Sequence, residues 1–204
     1  MCLSRYLNNL KIVNNMNKLP SDFSMEKYGL QVRLVREEDA EFIVNLRTNP
    51  VKARFISATS ANIEDQRKWI RNYKERERNG EDYYLVYLYQ GKLAGVNRIY
   101  DIEGNHFIHG SWIFSDDVPP YCPLAAGIIA RELAFETLGF EEEIDSAGIH
   151  KDNQSVLQYV RTLGAEFTGT RMYPMGEYYT SKLSKDTFEQ NKSRIIRLFP
   201  KKVQ

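Results

Sequence analysis

Residues 83–114 read YYLVYLYQGKLAGVNRIYDIEGNHFIHGSWIF, and this stretch decides the fold. Runs of β-branched and aromatic residues predict three consecutive strands, over Tyr83–Tyr89, Leu93–Tyr100 and Phe107–Phe114. Gln90-Gly91 separates the first two strands, and Glu103-Gly104-Asn105 separates the last two. Because both connections are short and contain glycine, we expect an antiparallel meander.

One strand and two helices are predicted before the meander. Gln31–Val35 alternates apolar and polar residues, which is typical of a strand. Glu37–Glu41 opens a helix, because acidic residues favour the first helical turn, and Asn49-Pro50 ends it. Asn62 is a capping residue for a second helix, which Asn79-Gly80 terminates.

Four further elements are predicted after the meander. An apolar helix extends over about 123–138, behind Pro119-Pro120. A strand over Glu143–Ile149 and an amphipathic helix over Asn153–Leu163 follow it. A closing hairpin is formed by Ala165–Arg171 and Glu177–Leu183. The order β-α-α-β-β-β-α-β-α-β-β predicts an α/β fold (α+β by another convention), with a mixed, mostly antiparallel central sheet of about seven strands and about four helices.

The chain of 204 residues is long enough for one domain with a hydrophobic core. We expect a flexible N-terminal extension over 1–29, the folded domain over 30–184 and a basic C-terminal tail over 185–204. Met25 is an alternative start to Met1, because patterned sequence begins just after it.

Composition excludes several classes of function. The 28 basic and 27 acidic residues give a net charge of +1, without the basic excess of nucleic-acid-binding proteins. Two cysteines and three histidines show neither a disulfide framework nor metal-ligand spacing. No apolar run is long enough to span a membrane or to form a signal peptide. We therefore expect a cytoplasmic protein without metal, nucleic-acid partner or membrane contact, and leave a homodimer open.

The element order over 30–184 resembles the GNAT superfamily of acetyltransferases. Three stretches carry the resemblance. They are Val32–Asp39, Gly110–Phe114 and Lys151–Ser155. The first two look like the branch that contains the ribosomal-protein N-terminal acetyltransferases. Stretches spread over residues 46–113 are more similar to amino-sugar acetyltransferases of the pseudaminic-acid type, namely Leu46–Asn49, Gln66–Ile70, Tyr73, Arg76-Glu77, Gly80, Tyr83-Tyr84, Arg98–Asp101 and Gly110–Ile113.

The resemblance implies a reaction. It predicts transfer of an acetyl group from acetyl-CoA to a primary amine, and the amino group of a nucleotide-linked amino sugar is the leading expectation. A protein N-terminal acetyltransferase of the ribosomal-protein type and a GNAT-fold binding module without catalysis are the alternatives. The fold implies a splay between the predicted fourth and fifth strands, where the coenzyme's pantetheine arm pairs with a strand edge.

The coenzyme site is also implied by the resemblance. The expected contacts are Trp112, Ile113, Phe114, Ala125, Ala126, Gly127, Asn153 and Ser155. Asn153 is equally suited to cap a helix. The family's phosphate-binding signature, Gln/Arg-x-x-Gly-x-Gly/Ala, falls on Pro119–Gly127, which has no arginine and one glycine. This departure is compatible with weaker coenzyme binding, with a different loop shape or with loss of catalysis.

The family's usual catalytic groups are missing from their positions. Val160 stands where many members have a tyrosine that acts as the general acid, and Ile108 stands where the ribosomal-protein branch has a glutamate. His109 is therefore the candidate base. The candidate acids are Tyr159 and Tyr121, with water as a third option. Tyr159 points about 100° away from Val160 around an ideal helix. Candidate substrate contacts are cations and rings suited to a diphosphate-linked sugar, namely Arg47, Arg54, Phe55, Tyr83, Arg98 and Tyr100, with Trp112 as a further ring.

Overall fold

An eight-stranded sheet in the order β1-β2-β3-β4-β5-β6-β8-β7 forms the centre of the computed structural model, which describes residues 17–204. Neighbouring strands are antiparallel except β5 and β6, which are parallel. The strands are β1 Ser24–Lys27, β2 Leu30–Leu34, β3 Tyr83–Tyr89, β4 Lys92–Glu103, β5 His106–Phe114, β6 Glu142–His150, β7 Glu166–Tyr173 and β8 Gly176–Ser184.

Five α-helices accompany the sheet in the described residues: α1 Ala40–Thr48, α2 Ile63–Asn79, α3 Tyr121–Glu132, α4 Gln154–Thr162 and α5 Lys185–Ile196. A π-helical segment, Leu133–Leu138, continues α3. Short 3-10 turns lie at Glu37–Asp39, Lys52–Phe55 and Lys201–Val203. The predicted mixed, mostly antiparallel sheet is thus confirmed, with eight strands and five α-helices in residues 17–204 in place of about seven and about four. In residues 17–204, no helix is both long and apolar enough to cross a membrane.

Both faces of the sheet are covered, and β3 shows how the sequence builds two cores. Side chains alternate between the faces of a strand. Leu85 and Tyr87 therefore pack with α3 and α5, whereas Tyr84 and Val86 pack with α1 and α2. A strand buried on both faces has the near-continuous apolar run found in YYLVYLY.

β5 and β6 separate after a short paired stretch. Their register pairs are His106 with Glu142 and Phe107 with Glu143. Farther along β5, Ser111 and Trp112 together lie opposite Asn97 of β4. This is a β-bulge, with Ser111 at a φ of 50°, and a bulge bends the strand that contains it. The bulge lies beyond the last β5–β6 pair, Phe107 with Glu143, and the end of this pairing confirms the predicted splay.

Two predicted segments need correction at the ends of the domain. β1 lies inside the predicted flexible extension 1–29, but it pairs with β2 and the preceding Leu19 is buried. Residues 1–16 lie outside the described part of the chain. The predicted tail 185–204 contains α5, whose Phe188 and Ile195 are buried. They lie two helical turns apart on one face, a short apolar stripe that the surrounding charges obscured.

Gly95 is expected to tolerate no side chain. A Cβ built on this β4 residue would lie 2.3 Å from the Phe114 ring, whereas one on Gly169 of β7 would meet nothing closer than 3.6 Å. Overpacking a well-filled core costs about 1–3 kcal/mol. We expect Gly95→Ala to lower the free energy of unfolding in urea by that amount and Gly169→Ala to change it by less than about 0.5 kcal/mol. Equal effects of the two variants would contradict this packing.

Candidate active site

A cleft of about 610 Å³ opens where β5 and β6 diverge. His109 and Trp112 line it from β5, while Asp145 and Gly148 line it from β6. The first turns of α4 and the β7–β8 hairpin close its sides. The strand separation therefore creates a cavity of the size that ligand sites have.

Just past Trp112 of the cleft lining, the edge of β5 has backbone groups that are not used by the sheet. Ser115 N–H donates to Ala94 O of β4 at 2.8 Å, so the backbone groups of Phe114 point to the opposite side, toward the open edge. Lys52 Nζ donates to Phe114 O at 2.9 Å, consistent with that direction. Ile113 is paired with Val96, and its backbone groups face β4. Of these two predicted contacts, Phe114 is the one that offers an edge to an added strand.

The start of α3 differs from the prediction. The helix begins at Tyr121, with Pro120 as N-cap and without a side-chain cap hydrogen bond. Cys122 N–H donates to Pro119 O at 2.9 Å, and Pro123 has no N–H to offer. Fewer N–H groups are thus available to an anion than at an ordinary helix N-terminus.

The small residues after this first turn are not where the resemblance placed them. Ala125, Ala126 and Gly127 are buried in the core and do not line the cleft. Ala126 O accepts hydrogen bonds from Tyr87 Oη and Asn97 Nδ2, both at 3.2 Å. A Cβ on Gly127 would lie 2.5 Å from Tyr159 Oη. The small size of these three residues lets α3 pack closely in the core. They lie inside the helix and not at its N-terminus, because the helix starts earlier than predicted.

Asn153 combines the two roles considered for it. Its Oδ1 accepts from Val156 N–H at 3.5 Å as the N-cap of α4, and the residue also lines the cleft. Ser155 is exposed and is not among the residues that line the cleft. Of the two, only Asn153 is therefore placed to contact a ligand there.

Two buried polar atoms in the cleft have no partner within the described structure. They are His109 Nε2 and Trp112 Nε1. An unpaired buried polar atom is costly, so both are suited to contact a polar ligand. Burial and the nearby Arg131 cation hold the pKa of His109 well below 6.5, which keeps the imidazole neutral. His109 thus faces the cleft, as its candidacy as a base requires.

The two predicted tyrosine acids lie elsewhere. Tyr159 is buried, its hydroxyl donates to Leu124 O at 3.2 Å, and burial raises its pKa. Val160 lines the cleft instead, because neighbouring helical residues point about 100° apart. Tyr121 packs against Tyr89 and Phe199, with ring centroids 6.4 and 5.9 Å away. Neither hydroxyl reaches the cleft, so the sequence-based assignment of an acid is not supported by these positions.

A second pocket of about 330 Å³ adjoins the cleft. Ser57 and Ser111 line both cavities, so the bulge residue stands at their junction. The new pocket's wall combines two guanidinium groups with two rings, from Arg47, Arg98, Trp69 and Tyr84. This is a set of groups suited to a planar or anionic ligand.

The cations of this pocket are held in place by contacts within the fold. Arg47 donates from Nη2 to Ser57 O at 3.0 Å and from Nε to Thr59 Oγ1 at 2.5 Å. Arg98 forms an ion pair with the buried Asp82. The Arg98 guanidinium also lies 4.7 Å from the Tyr100 ring centroid. Both side chains are therefore ordered before any ligand arrives.

The remaining candidates for substrate contact lie in different parts of the structure. Phe55 and Tyr100 line the cleft. Arg54 is exposed at its rim, 4.0 Å from Asp152. Tyr83 is buried in the core on the α3 side, so its predicted contact with substrate is wrong, and Tyr84 reaches the pocket instead.

Several site residues escaped the sequence analysis: Trp69, Tyr84, Arg131, Glu143 and Asp145. Arg131 and Glu143 form a buried, two-bonded ion pair at the cleft, with both nitrogen–oxygen distances 2.7 Å. Burial, with a smaller contribution from Glu143, raises the pKa of Asp145 to about 6. Within the described residues, no group of three or more His, Cys, Asp or Glu side chains is arranged to hold a metal ion.

Comparison with known proteins agrees with this architecture. The model of the acetyltransferase (GNAT) domain family matches residues 30–166. The solved structure of FdhC, described as a nucleotide-linked sugar GNAT, is 32% identical, with a TM-score of 0.75 over 88% of this chain and 99% of that one. The comparison with curated protein sequences gave no match.

More distant structures share the fold. The ribosomal-protein-S5-alanine acetyltransferase from Vibrio fischeri is 15% identical, with a TM-score of 0.68 over 81% of this chain and 98% of its own. RimJ from Mycobacterium smegmatis, solved in complex with CoA-disulfide, is 11% identical, with a TM-score of 0.70 over 90% and 92%. Acetyltransferases of this family use acetyl-CoA as co-substrate. The family match over most of the chain, together with the splayed sheet, shows that the protein belongs to the GNAT acetyltransferases.

Proposed function

We propose that this enzyme transfers an acetyl group from acetyl-CoA to the amino group of a nucleotide-linked amino sugar. The main support is the pocket of Arg47, Trp69, Tyr84 and Arg98, which adjoins the cleft at Ser111. Its rings and guanidinium groups match a nucleotide diphosphate, and its junction with the cleft brings a sugar amine toward a thioester. The resemblance to FdhC, a nucleotide-linked sugar GNAT, supports the same substrate class.

The cleft residues fit the coenzyme. The backbone N–H of Phe114 faces an open strand edge, as an extended pantetheine arm requires, while its carbonyl oxygen accepts from Lys52 Nζ. The buried atoms His109 Nε2 and Trp112 Nε1 have no partner in residues 17–204 and are suited to its polar groups. The altered start of α3 gives fewer N–H groups to a pyrophosphate, so we expect affinity to depend more on the strand edge. When bound, the coenzyme supplies an activated acetyl thioester.

The chemistry needs three contributions from the chain. The amine must be held close to the thioester, which the shared wall at Ser57 and Ser111 provides. The oxyanion of the tetrahedral intermediate must be stabilised, and backbone N–H groups at an open strand edge serve this purpose in acyl transfer. The amine must also lose a proton to a base within the cleft.

Binding of a nucleoside diphosphate tests the substrate class without turnover. We expect calorimetry with UDP and dTDP to show saturable binding, and Arg47→Met to weaken it by about 10-fold or more. Hydrogen bonds to charged groups are worth about 1.5–3 kcal/mol, which sets this magnitude. Arg67→Met is the matched control, since Arg67 is exposed on α2 and pairs with Glu64.

The outcomes separate the alternatives. Weaker binding in Arg47→Met but not in Arg67→Met supports the nucleotide pocket. If neither nucleotide binds at millimolar concentration while acetyl-CoA does, the enzyme acts on another amine, and an N-terminal peptide becomes the substrate to test. If acetyl-CoA itself fails to bind, the chain is a binding module of GNAT fold.

A further inference from the structure

We propose that Asp145 is the group that accepts the proton from the acceptor amine. The role rests on the proposed function, since it requires an amine in the cleft. Three features point to Asp145: the position of its carboxylate, the contact that holds it, and the engagement of the other ionisable groups of the cleft.

Asp145 lies on β6, where this strand leaves its regular pairing with β8. The register between the two strands shifts between Asp145 and Ile149, and Gly148 has a left-handed φ of 88°. The turn brings Gly148 N–H to Asp145 Oδ1 at 2.7 Å. The local backbone thereby fixes the carboxyl group in a cleft it shares with Tyr100 and Ser111.

The other candidate bases in the cleft are less suited. Glu143 has both oxygens bonded to Arg131. His150 has both ring nitrogens engaged, with Nε2 2.9 Å from Met175 O and Nδ1 3.1 Å from the N–H of Asp152. His109 is neutral but lies in the field of Arg131, which opposes the gain of a positive charge. Asp145 is instead made neutral by the proton it gains.

The surroundings of Asp145 match this task. Burial, and then the charge of Glu143 on the same strand, raises its pKa to about 6, while Gly148 N–H and the Arg131 cation of α3 act in the other direction. Tyr100 of β4 faces it, and burial with the Asp145 charge raises the pKa of Tyr100 to about 12, so this phenol stays neutral. The other ionisable groups that line the cleft are His109 of β5, His150 of β6, Tyr173 of β7 and Tyr178 of β8. At neutral pH the carboxylate is ionised and close to the best basicity for general-base catalysis.

The proton passes from the amine to Asp145 and then to the sulfur of the leaving thiolate. The amine nitrogen uses its lone pair to form the new C–N bond at the thioester carbon, and its proton passes to Asp145. The oxyanion collapses, the C–S bond breaks, and the thiolate leaves with the bonding electron pair. The proton then moves from Asp145 to sulfur, directly or through water, which gives an amide and a free thiol and restores the carboxylate.

The test compares pH profiles of wild-type enzyme and Asp145→Asn with the best amine acceptor. In wild type, the slope of log kcat/KM against pH should double below about pH 6, because amine and carboxylate must then both lose a proton. In Asp145→Asn, kcat/KM should fall about 100- to 10,000-fold, and the remaining acid limb should reflect the amine alone. Acetyl-CoA affinity should be unchanged, which shows that the variant is folded. Glu103→Gln, which removes an exposed carboxylate on β4, should behave as wild type.

Each result decides the proposal. A wild-type profile with no second ionisation between pH 5 and 7 overturns it, whatever the variant does. So does an Asp145→Asn enzyme that keeps its rate and its acid limb. Wild-type enzyme that turns over peptides but no nucleotide sugar rejects the proposed function instead, and the profile is then measured with that peptide. A wild-type enzyme that acetylates no amine overturns both proposals.

Discussion

Replacing Arg131 by Met is expected to lower the free energy of unfolding by about 3–5 kcal/mol, the largest effect of a single substitution in this cleft. Arg131 and Glu143 are both buried, and two hydrogen bonds of 2.7 Å join them. Removing the cation leaves a carboxylate in a medium of low dielectric constant without a counter-ion. The loss therefore reflects the stranded charge more than the bond itself. Urea denaturation of the purified variant measures it.

The double variant Arg131→Met/Glu143→Leu is the matched control. A buried ion pair replaced by apolar residues of similar volume is often neutral in stability, or even stabilising. We therefore expect the double variant to recover most of the loss. If the single variant loses less than about 1 kcal/mol, or the double variant is less stable than the single one, the ion pair is not the buried pair described here.

Replacing Trp69 by Ala is expected to raise the KM for the nucleotide sugar by about 5- to 150-fold and to leave acetyl-CoA affinity unchanged. The indole is stacked on Tyr73, with ring centroids 5.3 Å apart and an interplanar angle of 9°. Arg98 lies 5.2 Å from its centroid, at the wall of the smaller pocket. Stacking of a nucleobase on an aromatic side chain is worth about 1–3 kcal/mol, which sets the range.

The exposed neighbour Lys68 on the same helix supplies the control for Trp69. Lys68→Ala should leave both constants unchanged, and Trp69→Phe should keep part of the affinity. Initial rates at varied sugar and saturating acetyl-CoA give KM. A rise in the coenzyme dissociation constant without a rise in the KM for sugar would show that Trp69 serves the cleft and not the pocket.

The strands and helices could be predicted well where one periodicity dominates. The meander of residues 83–114 has continuous apolar strands with glycine turns, and the predicted strand over Tyr83–Tyr89 coincides with β3. β1 and α5 were missed for a physical reason. β1 has four residues, and the apolar face of α5 has few members among many charges. Such elements are ordered by the surface they pack on, which is not visible locally.

The site was predictable only in part. The strand bearing Trp112 and Phe114 and the cap at Asn153 follow from local patterns, and Trp112 and Asn153 line the cleft. Alternation along β3 shows that Tyr83 and Tyr84 face opposite ways, but it does not say which face holds the pocket. The Arg131–Glu143 pair depends on how α3 lies against β6, and no spacing rule indicates that. A local turn orients the Asp145 carboxylate. This carboxylate lines a cleft only because β5 and β6 separate, which the local sequence does not indicate.

One assay tests acetyl transfer to a nucleotide-linked amino sugar directly. Coenzyme A release from acetyl-CoA is followed with a thiol reagent, in parallel reactions with a nucleotide-linked amino sugar, the same sugar without its nucleotide, and a peptide with a free N-terminal alanine. Mass spectrometry of the acceptor verifies the acetyl group. We expect rapid release with the nucleotide sugar, much slower release with the free sugar and none above background with the peptide. Release with the peptide and not with the nucleotide sugar would contradict the proposed substrate class.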